Sequence, residues 1–573
     1  MKKCTFLFIT MLFFTLSLVA QDVIQEGAKT NQLLTDYDRN ALTVIVLDGN
    51  SAYMLDIRNA ASGIVVPDKF DDNLLDTRLL ATSSNADAIK QALTQNKIPN
   101  QILAKWFARN EAGEFNMDII HERGLYNATD DEVRKAASSK IGMAKLQDAG
   151  EVLINHSYIL VMDIKNIQTM EQVYLKRDAL AKGLGELMGQ SGEGVKRRKN
   201  GWMGDVKGYL FKLEFDPQTI GAFYNDMWIY EDDSEDTKAI KRALFDQSNF
   251  PVKFVLEVSG SADGSQYNPG ELLAPPVQKN RDELFKQMVN TGLENCIFDV
   301  ERKISDFQVK TPLYSTRPLQ AKIGKKEGLK TDHRYFVMEF VQNRKGETEG
   351  VRKGVIRAKK VVDNRKVATG SSELYSRFYQ VAGRRLMDGM LLQQKNDFGI
   401  GISAGTTVVG DMGGIFVKGE GNVALLAGRI IPIGITQLKV FGTAHFDNGE
   451  YDFGTGFGTY ETSFLRWQVG LSKGFYLTRN VSLAPFISYG AESATSDAYF
   501  GNTETKVNTY FLGYGASASM NLTYWAQLMV GLNMYSLVGN AVDQDGNDLG
   551  YIYTNYFDGR EGMSIDVGLR IEF

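Results

Sequence analysis

The sequence predicts a multidomain chain: a mixed α/β periplasmic region, a small β-rich module, and a C-terminal antiparallel eight-stranded transmembrane β-barrel. Three observations carry this expectation. First, residues 563–573 alternate strictly. Met563, Ile565, Val567, Leu569, Ile571 and Phe573 share one face, and Ser564, Asp566, Gly568, Arg570 and Glu572 share the other, because successive side chains of a strand point to opposite sides. Second, the composition shifts near residue 395. Lys and Arg thin out beyond it, while glycines and aromatics concentrate there, among them Trp467, Trp525, Tyr476, Tyr489, Tyr510 and Tyr524. Third, helix-then-strand units repeat through the first half, the pattern of a layered α/β or α+β structure.

The 573 residues are enough for several domains, expected at 1–20, 21–310, 311–394 and 395–573. Residues 1–20 read as a secretory signal peptide: Lys2 and Lys3, an apolar run from Phe6 to Val19, then Ala20. Leu18 is larger than the usual residue at its place, which shifts the cut by a residue or so. The apolar run is shorter than the ~20 residues that a bilayer-spanning helix needs. Cys4 lies within the signal, leaving Cys296 as the one mature thiol, a small buried hydrophobe by expectation and without an intramolecular disulfide. A net charge of −5 argues against a nucleic-acid partner. No later segment is apolar for the ~18 residues of a membrane helix, so a membrane span has to be a closed barrel, which satisfies all backbone groups internally.

In the α/β region, Ala41–Leu47 reads as a buried strand. Asn85–Gln95, Ile98–Arg109 and Thr129–Ala149 read as helices, the last with Thr129 as N-cap and Glu132 three residues on. A strand at Val152–Ile164, helix Lys238–Phe245, strand Val252–Gly260, helix Arg281–Asn295 and strand Phe298–Lys310 follow. Within 311–394, strands are expected at Tyr335–Val341, Gly354–Val362 and Ser372–Tyr379. A turn at Met387–Met390 then leads into one more short strand.

Barrel strands are expected at 398–409, 415–431, 436–446, 462–476, 481–491, 507–520, 525–536 and 562–573, near the ~9–11 residues of a tilted span. In the first, Phe398, Ile400, Ile402, Ala404 and Val408 point out and Gly399, Gly401, Ser403 and Gly405 point in. In the fourth, Leu465, Trp467, Val469 and Leu471 point out, against Arg466, Gln468, Gly470 and Ser472. Short links at Pro432–Ile435, Thr478–Asn480 and Asn521–Tyr524 alternate with long ones at 410–414, 447–461, 492–506 and 537–561. This is the rhythm of tight periplasmic turns and longer outer loops. Lys439, Arg466, Asp566, Arg570 and Glu572 share the interior with glycines and serines. Eight strands leave just enough room for side chains to fill, and inward Arg and Asp are expected to pair as a plug.

On the alternating strand 563–573, its aromatic Phe573 and the short–long loop rhythm, the last 180 or so residues resemble small outer-membrane barrels of the OmpA/OmpX type. The resemblance implies an outer-membrane location and leaves activity open. The N-terminal half is similar to curli-secretion and flagellar-assembly accessory proteins in the helix-to-strand cadence of 140–149 followed by Val152–Asp163, and in the segment Lys353–Val362. That similarity implies an assembly role.

Several motifs invite chemistry. Gly401-Ile-Ser403-Ala-Gly405 matches a nucleophile-elbow pattern, which requires a strand-to-helix turn, but it lies inside an alternating strand. His445, the one barrel histidine, is placed near the outer end of its strand, away from Ser403. Asp543–Asp548 is similar to a calcium loop but has Asp548 and Thr554 where Gly and Glu are required. Gly454–Gly458 is followed by no helix to hold a phosphate. The run Lys196–Lys199 and the set Lys322, Lys325, Lys326, Lys330, Arg334, Arg352, Lys353, Arg357, Lys359 and Lys360 read as solvated faces, with anionic envelope polymer, an acidic partner or inner-leaflet headgroups as the functional alternative. His121, His156 and His333 show no metal-ligand spacing.

No catalytic, cofactor or metal site residue is therefore assigned, and no cofactor. The expected function is a non-enzymatic outer-membrane protein whose filled barrel anchors a periplasmic interaction domain. Its partners would be outer-membrane lipid and a periplasmic or envelope protein, and an oligomer is allowed. The alternatives are an outer-membrane enzyme acting on lipid or glycan, and a narrow channel.

Overall fold

The computed structural model describes residues 40–573 apart from 49–51, 74, 77, 121–153, 188–195, 273, 343–347, 366–373, 396, 410–412, 428–433, 453–457, 497–504, 544–547, 549, 551–554 and 558–559. The expected signal peptide, helix Thr129–Ala149 and His121 lie outside these residues.

The first sheet is built on β1 (Ala41–Leu47), every residue of which is buried. It lies parallel to β2 (Ser157–Thr169), which continues antiparallel into β3 (Lys199–Leu213) and β4 (Val252–Tyr267). Burial on both faces follows from helices above and below. Ala41 and Ile45 face α2 (Ala86–Gln95) and α3 (Ile98–Trp106), in a core with Leu93, Ile102 and Trp106. Leu42, Val44 and Val46 face α1 (Met54–Ala61) and the long α6 (Arg281–Lys303), with Met288, Leu293 and Cys296. Between these helices α4 spans Met170–Leu187 and α5 spans Glu235–Gln247.

Caps set the helix starts. Asn85 accepts from Ala88 N at 2.8 Å, and Asn280 with Glu283 forms a reciprocal capping box. Gly264 lets α6 approach β4, since a Cβ there would sit 1.9 Å from the Leu284 carbonyl oxygen.

Several expectations are corrected. Helix α3 stops at Trp106, not Arg109, because Ala108 takes a left-handed φ of 42°. The strand expected at Phe298–Lys310 is largely helix. Leu293, Cys296, Ile297 and Val300 recur at helical spacing on a buried face, so α6 runs to Lys303 and leaves only Lys310–Pro312 extended. Strand β2 begins at Ser157 and runs on to Thr169, paired with β3 as far as Trp202. Helix α4 and strand β3 were not expected, and the glycines of β3 dilute its alternation.

The second sheet has seven antiparallel strands. At its centre are β5 (Arg334–Gln342), β6 (Thr348–Lys360) and β7 (Ser376–Gly383), with β8 (Leu391–Gln394) beside β5. Its two edge strands, Lys310–Pro312 and Ser315–Thr316, are consecutive in the chain, so the sheet curls back toward itself around Tyr335, Val337, Ile356 and Leu392.

The third sheet is a closed antiparallel barrel of eight strands: β9 (Ile400–Val409), β10 (Ile415–Asn422), β11 (Leu438–Asp452), β12 (Thr459–Lys473), β13 (Val481–Ser496), β14 (Thr505–Asn521), β15 (Ala526–Leu537) and β16 (Gly562–Glu572). Each pairs with its neighbour in sequence, and β16 closes on β9 from Gly401↔Glu572 to Val409↔Ile565. The faces of the first, fourth and last strands are as expected. Trp467 and Leu569 are about half exposed, while Arg466 and Ser564 are only 2% exposed. An apolar exterior around a polar interior, with no free edge, is the construction of a membrane-spanning barrel.

Strand β10 ends at Asn422, not 431. The Asn422 side chain accepts from Ala424 N and Leu425 N and starts a short helix, Val423–Leu426. Two of the long links are shorter than expected because their hairpins continue as strand, to Asp452 and from Thr459, and to Ser496 and from Thr505. The link expected to be short at Pro432–Ile435 instead spans 423–437, because β10 stops early at Asn422.

Candidate functional site at the barrel mouth

Two charged clusters fill the barrel. At the end away from its chain ends, Arg560 enters from the last long link. Its Nε and Nη2 donate to Glu492, each at 2.8 Å, and its Nη1 donates to Asp447 at 2.8 Å. Arg466 Nε donates to the same Glu492 at 2.9 Å. Aromatic rings pack both guanidinium groups: Arg560 lies 3.6 Å from the Phe464 centroid, and Arg466 lies 3.9 Å from Phe511 and 4.4 Å from Tyr535.

The second cluster lies at the end where β9 begins and β16 finishes. Lys439 Nζ donates to Glu420 at 2.9 Å and to Glu572 at 3.1 Å. Arg570 pairs with the same two carboxylates. Lys418 stands 3.8 Å from Glu420. The cavity beside this cluster, lined by Ser472, Tyr476, Ser517, Ser519 and Met529, offers only about 20 Å³ to the centre of a water molecule. That is room for one or two waters.

An inward Arg–Asp pair is present, Arg560 with Asp447, but the residues expected to pair, Arg466, Arg570 and Asp566, do not pair with one another. Both arginines of β12 and β16 take glutamates, whereas Asp566 accepts from Thr407 at 2.7 Å and Asn533 at 2.8 Å and lies 3.4 Å from His445 Nε2. His445 sits mid-strand because β11 runs to Asp452. Ser403, 0% exposed inside β9, has no hydrogen-bond partner among the described residues, so it meets no base. His156 Nδ1 lies 3.1 Å from Asn40 Oδ1, and His333 Nδ1 accepts from Lys330 N at 3.4 Å, in different parts of the chain. In the outer acidic turn, Asp548 accepts from Asn540 and from Gly550 N.

The second sheet is fastened across this mouth. Arg357 on β6 donates to Asp397 at 2.8 Å and to the Asp332 carbonyl at 2.8 Å, and reaches Glu572 at 3.5 Å. Arg334 on β5 lies 3.2 Å from the same Asp397. Burial opposes the charge on Arg357, but Asp397 and Glu572 outweigh it and hold the guanidinium well above its ordinary pKa.

Asp332, fully buried, is the second fastening. Its carboxylate accepts from Asn422 Nδ2 (2.8 Å), Gln437 N (2.5 Å) and Tyr379 O–H (2.6 Å), joining β10, the start of β11 and β7. Burial and this carboxylate push the Tyr379 phenol far up. Around the rim, Asn480 accepts from Gly383 N, Asn521 donates to the Val381 carbonyl, and Tyr524 O–H donates to the Arg352 carbonyl at 2.9 Å. Helix α6 also touches the mouth, with Arg302 4.3 Å from the Phe398 ring.

Arg334 and Arg357 therefore do not belong to a solvated face, as their basic neighbours suggest in sequence. Asp332, Asp397, Glu420, Lys418, Glu492 and Arg560 were missed. Alternation in β10 would have placed Lys418 and Glu420 inside. Arg560 and Asp332 lie in loops and carry no periodic signal.

No family model matches the chain, and no curated protein does. Among solved structures it is similar to a major outer membrane protein from Thermus thermophilus, at 16% identity over 30% of this chain and 98% of that one, with a TM-score of 0.22. It is also similar to Ail, the attachment invasion locus protein of Yersinia pestis, at 14% identity over 30% and 96% of the two chains, with a TM-score of 0.19. Neisserial surface protein A is a third, at 12% identity over 31% and 100%, with a TM-score of 0.20.

Proposed function

We propose that this chain is an outer-membrane protein whose filled, non-conducting barrel holds the N-terminal region in the periplasm as a rigidly mounted interaction platform for another envelope component, without catalytic turnover. The observation that carries the reading is the fastening of the second sheet to the barrel through buried groups, Arg357 to Glu572 and Asp332 to Asn422 and Gln437. A flexible tether needs no such bonds. The mouth they close is the end that holds the barrel's chain ends and the turns 474–480 and 522–525, opposite the longest link, 538–561. In barrels of this construction the end with the chain ends faces the periplasm.

Planar-bilayer recording tests the non-conducting part. The full chain is expected to give no steady conductance above background. Stable steps altered by substituting Arg466 or Lys439 would replace this reading with a channel. Cross-linking in intact cells tests the platform part. Reproducible protein partners attached to residues 40–394 are expected, and cross-links confined to wall polymer or lipid would count against it.

A further inference from the structure

We propose that Arg384, Arg385 and Arg479 form a docking surface for the anionic headgroups of inner-leaflet phospholipids, so that the second sheet grips the membrane as well as the barrel. The inference rests on the membrane reading above and adds a lipid class to it.

The geometry fixes the depth of these residues. Gly383 N donates to the side chain of Asn480, which lies in the short turn between β12 and β13, and Arg384 N donates to the Lys353 carbonyl at 2.8 Å. Arg384 and Arg385 thus leave β7 directly beside a barrel turn, and Arg479 lies in that turn. Leu477 on this turn, and Leu522 and Trp525 on the next short one, are 64%, 55% and 49% exposed. They mark the apolar edge of the barrel surface, where aromatic and apolar side chains give way to headgroups.

All three arginines are exposed, and no ion pair engages them among the described residues. Nearby cations are used differently. Lys353 pairs with Glu339 at 2.5 Å, and the Arg352 guanidinium lies 3.6 Å over Phe336. Asp388, exposed on the following turn, forms no ion pair with the three among the described residues. Three unneutralised guanidinium groups beside an apolar belt complement a plane of phosphates. Each cation at an anionic membrane surface contributes roughly a fivefold preference.

The test is electron spin resonance on the full chain reconstituted in phosphatidylcholine bilayers, with trace spin-labelled phosphatidylglycerol or phosphatidylcholine. The wild type is expected to immobilise phosphatidylglycerol at least about fivefold more strongly than phosphatidylcholine. The preference should fall toward unity in the R384Q/R385Q/R479Q variant and in ~1 M salt, where screening acts over about 3 Å. It should survive in the R384K/R385K/R479K variant, which keeps the charge. An immobilised lipid shell without preference, or an unchanged preference in the glutamine variant, would overturn the proposal while leaving the barrel in the membrane. No immobilised lipid at all would overturn both it and the membrane reading.

Discussion

Arg357, on the second sheet, reaches to within 3.5 Å of Glu572 in the last barrel strand, while its guanidinium also binds Asp397 at 2.8 Å. One side chain thus joins the strand that closes the barrel to the sheet that covers its mouth. The Asp397 side chain is 2% exposed, so each charge depends on the other.

Arg357→Met should therefore weaken the mount by about 3–5 kcal/mol, the usual cost of leaving one member of a buried pair alone. The expected readout is faster proteolysis of residues 40–394 by a soluble protease, with the barrel left intact. Arg357→Lys should lie between the two, since an ammonium cannot span Asp397, Glu572 and the Asp332 carbonyl as a guanidinium does.

Glu492→Ala should destabilise the barrel itself. Glu492 receives Arg466 and Arg560, both 2% exposed, and its loss leaves two cations facing each other inside the barrel. We expect unfolding at lower denaturant, with a stability loss of about 3–5 kcal/mol. Mobility in unheated detergent electrophoresis should shift toward that of the unfolded chain. Glu492→Gln should be milder because it keeps one acceptor.

How much of this was legible follows from periodicity. β9, β12 and β16 alternate over most of their length, so their outward apolar residues, such as Ile402, Leu465 and Leu569, and inward Arg466 and Arg570 could be read directly. β1 was legible as a run buried on both faces. The end of α6 was not, because Phe298 and Val300 alternate over a few residues while the helical face of Leu293, Cys296, Ile297 and Val300 needs a longer window. The mouth was the least legible part. Its groups come from strands and loops distant in sequence, and a buried Arg357 looks in sequence like any other member of the basic stretch around it.

Gly405→Val should prevent barrel closure. Gly405 faces Gly568 across the seam between β9 and β16, and a Cβ there would lie 2.1 Å from the Val567 carbonyl oxygen and 2.8 Å from the Phe416 ring. Overpacking of this kind costs about 1–3 kcal/mol or more. Refolding yield into detergent micelles, followed by unheated electrophoresis, is the measurement. Ser403→Val, beside it but with an unbonded hydroxyl, should refold far better.

Cys296 supplies a pH signature for the α/β region. Burial, aided by the Asp299 charge, pushes its thiol up to about 12 from 9.0. Between these values the folded state holds the proton more tightly than the unfolded one, so this group's contribution to stability falls as pH rises from 9 toward 12. The pH dependence of urea unfolding over this interval should be shallower in Cys296→Ala by up to ~1.4 kcal/mol per pH unit. At pH 8 the native thiol should resist an aromatic disulfide reagent and react fully once unfolded.

The most direct test of the account is labelling of single introduced cysteines in intact cells with a membrane-impermeant maleimide, Cys296 being buried and inert. Asp548→Cys, on the far link of the barrel, should label at once. Asp388→Cys, on the second sheet beside the opposite mouth, should label only after the outer membrane is permeabilised. Labelling of Asp388→Cys in intact cells, or of neither position until lysis, would contradict a barrel that spans the outer membrane with its mounted region inside.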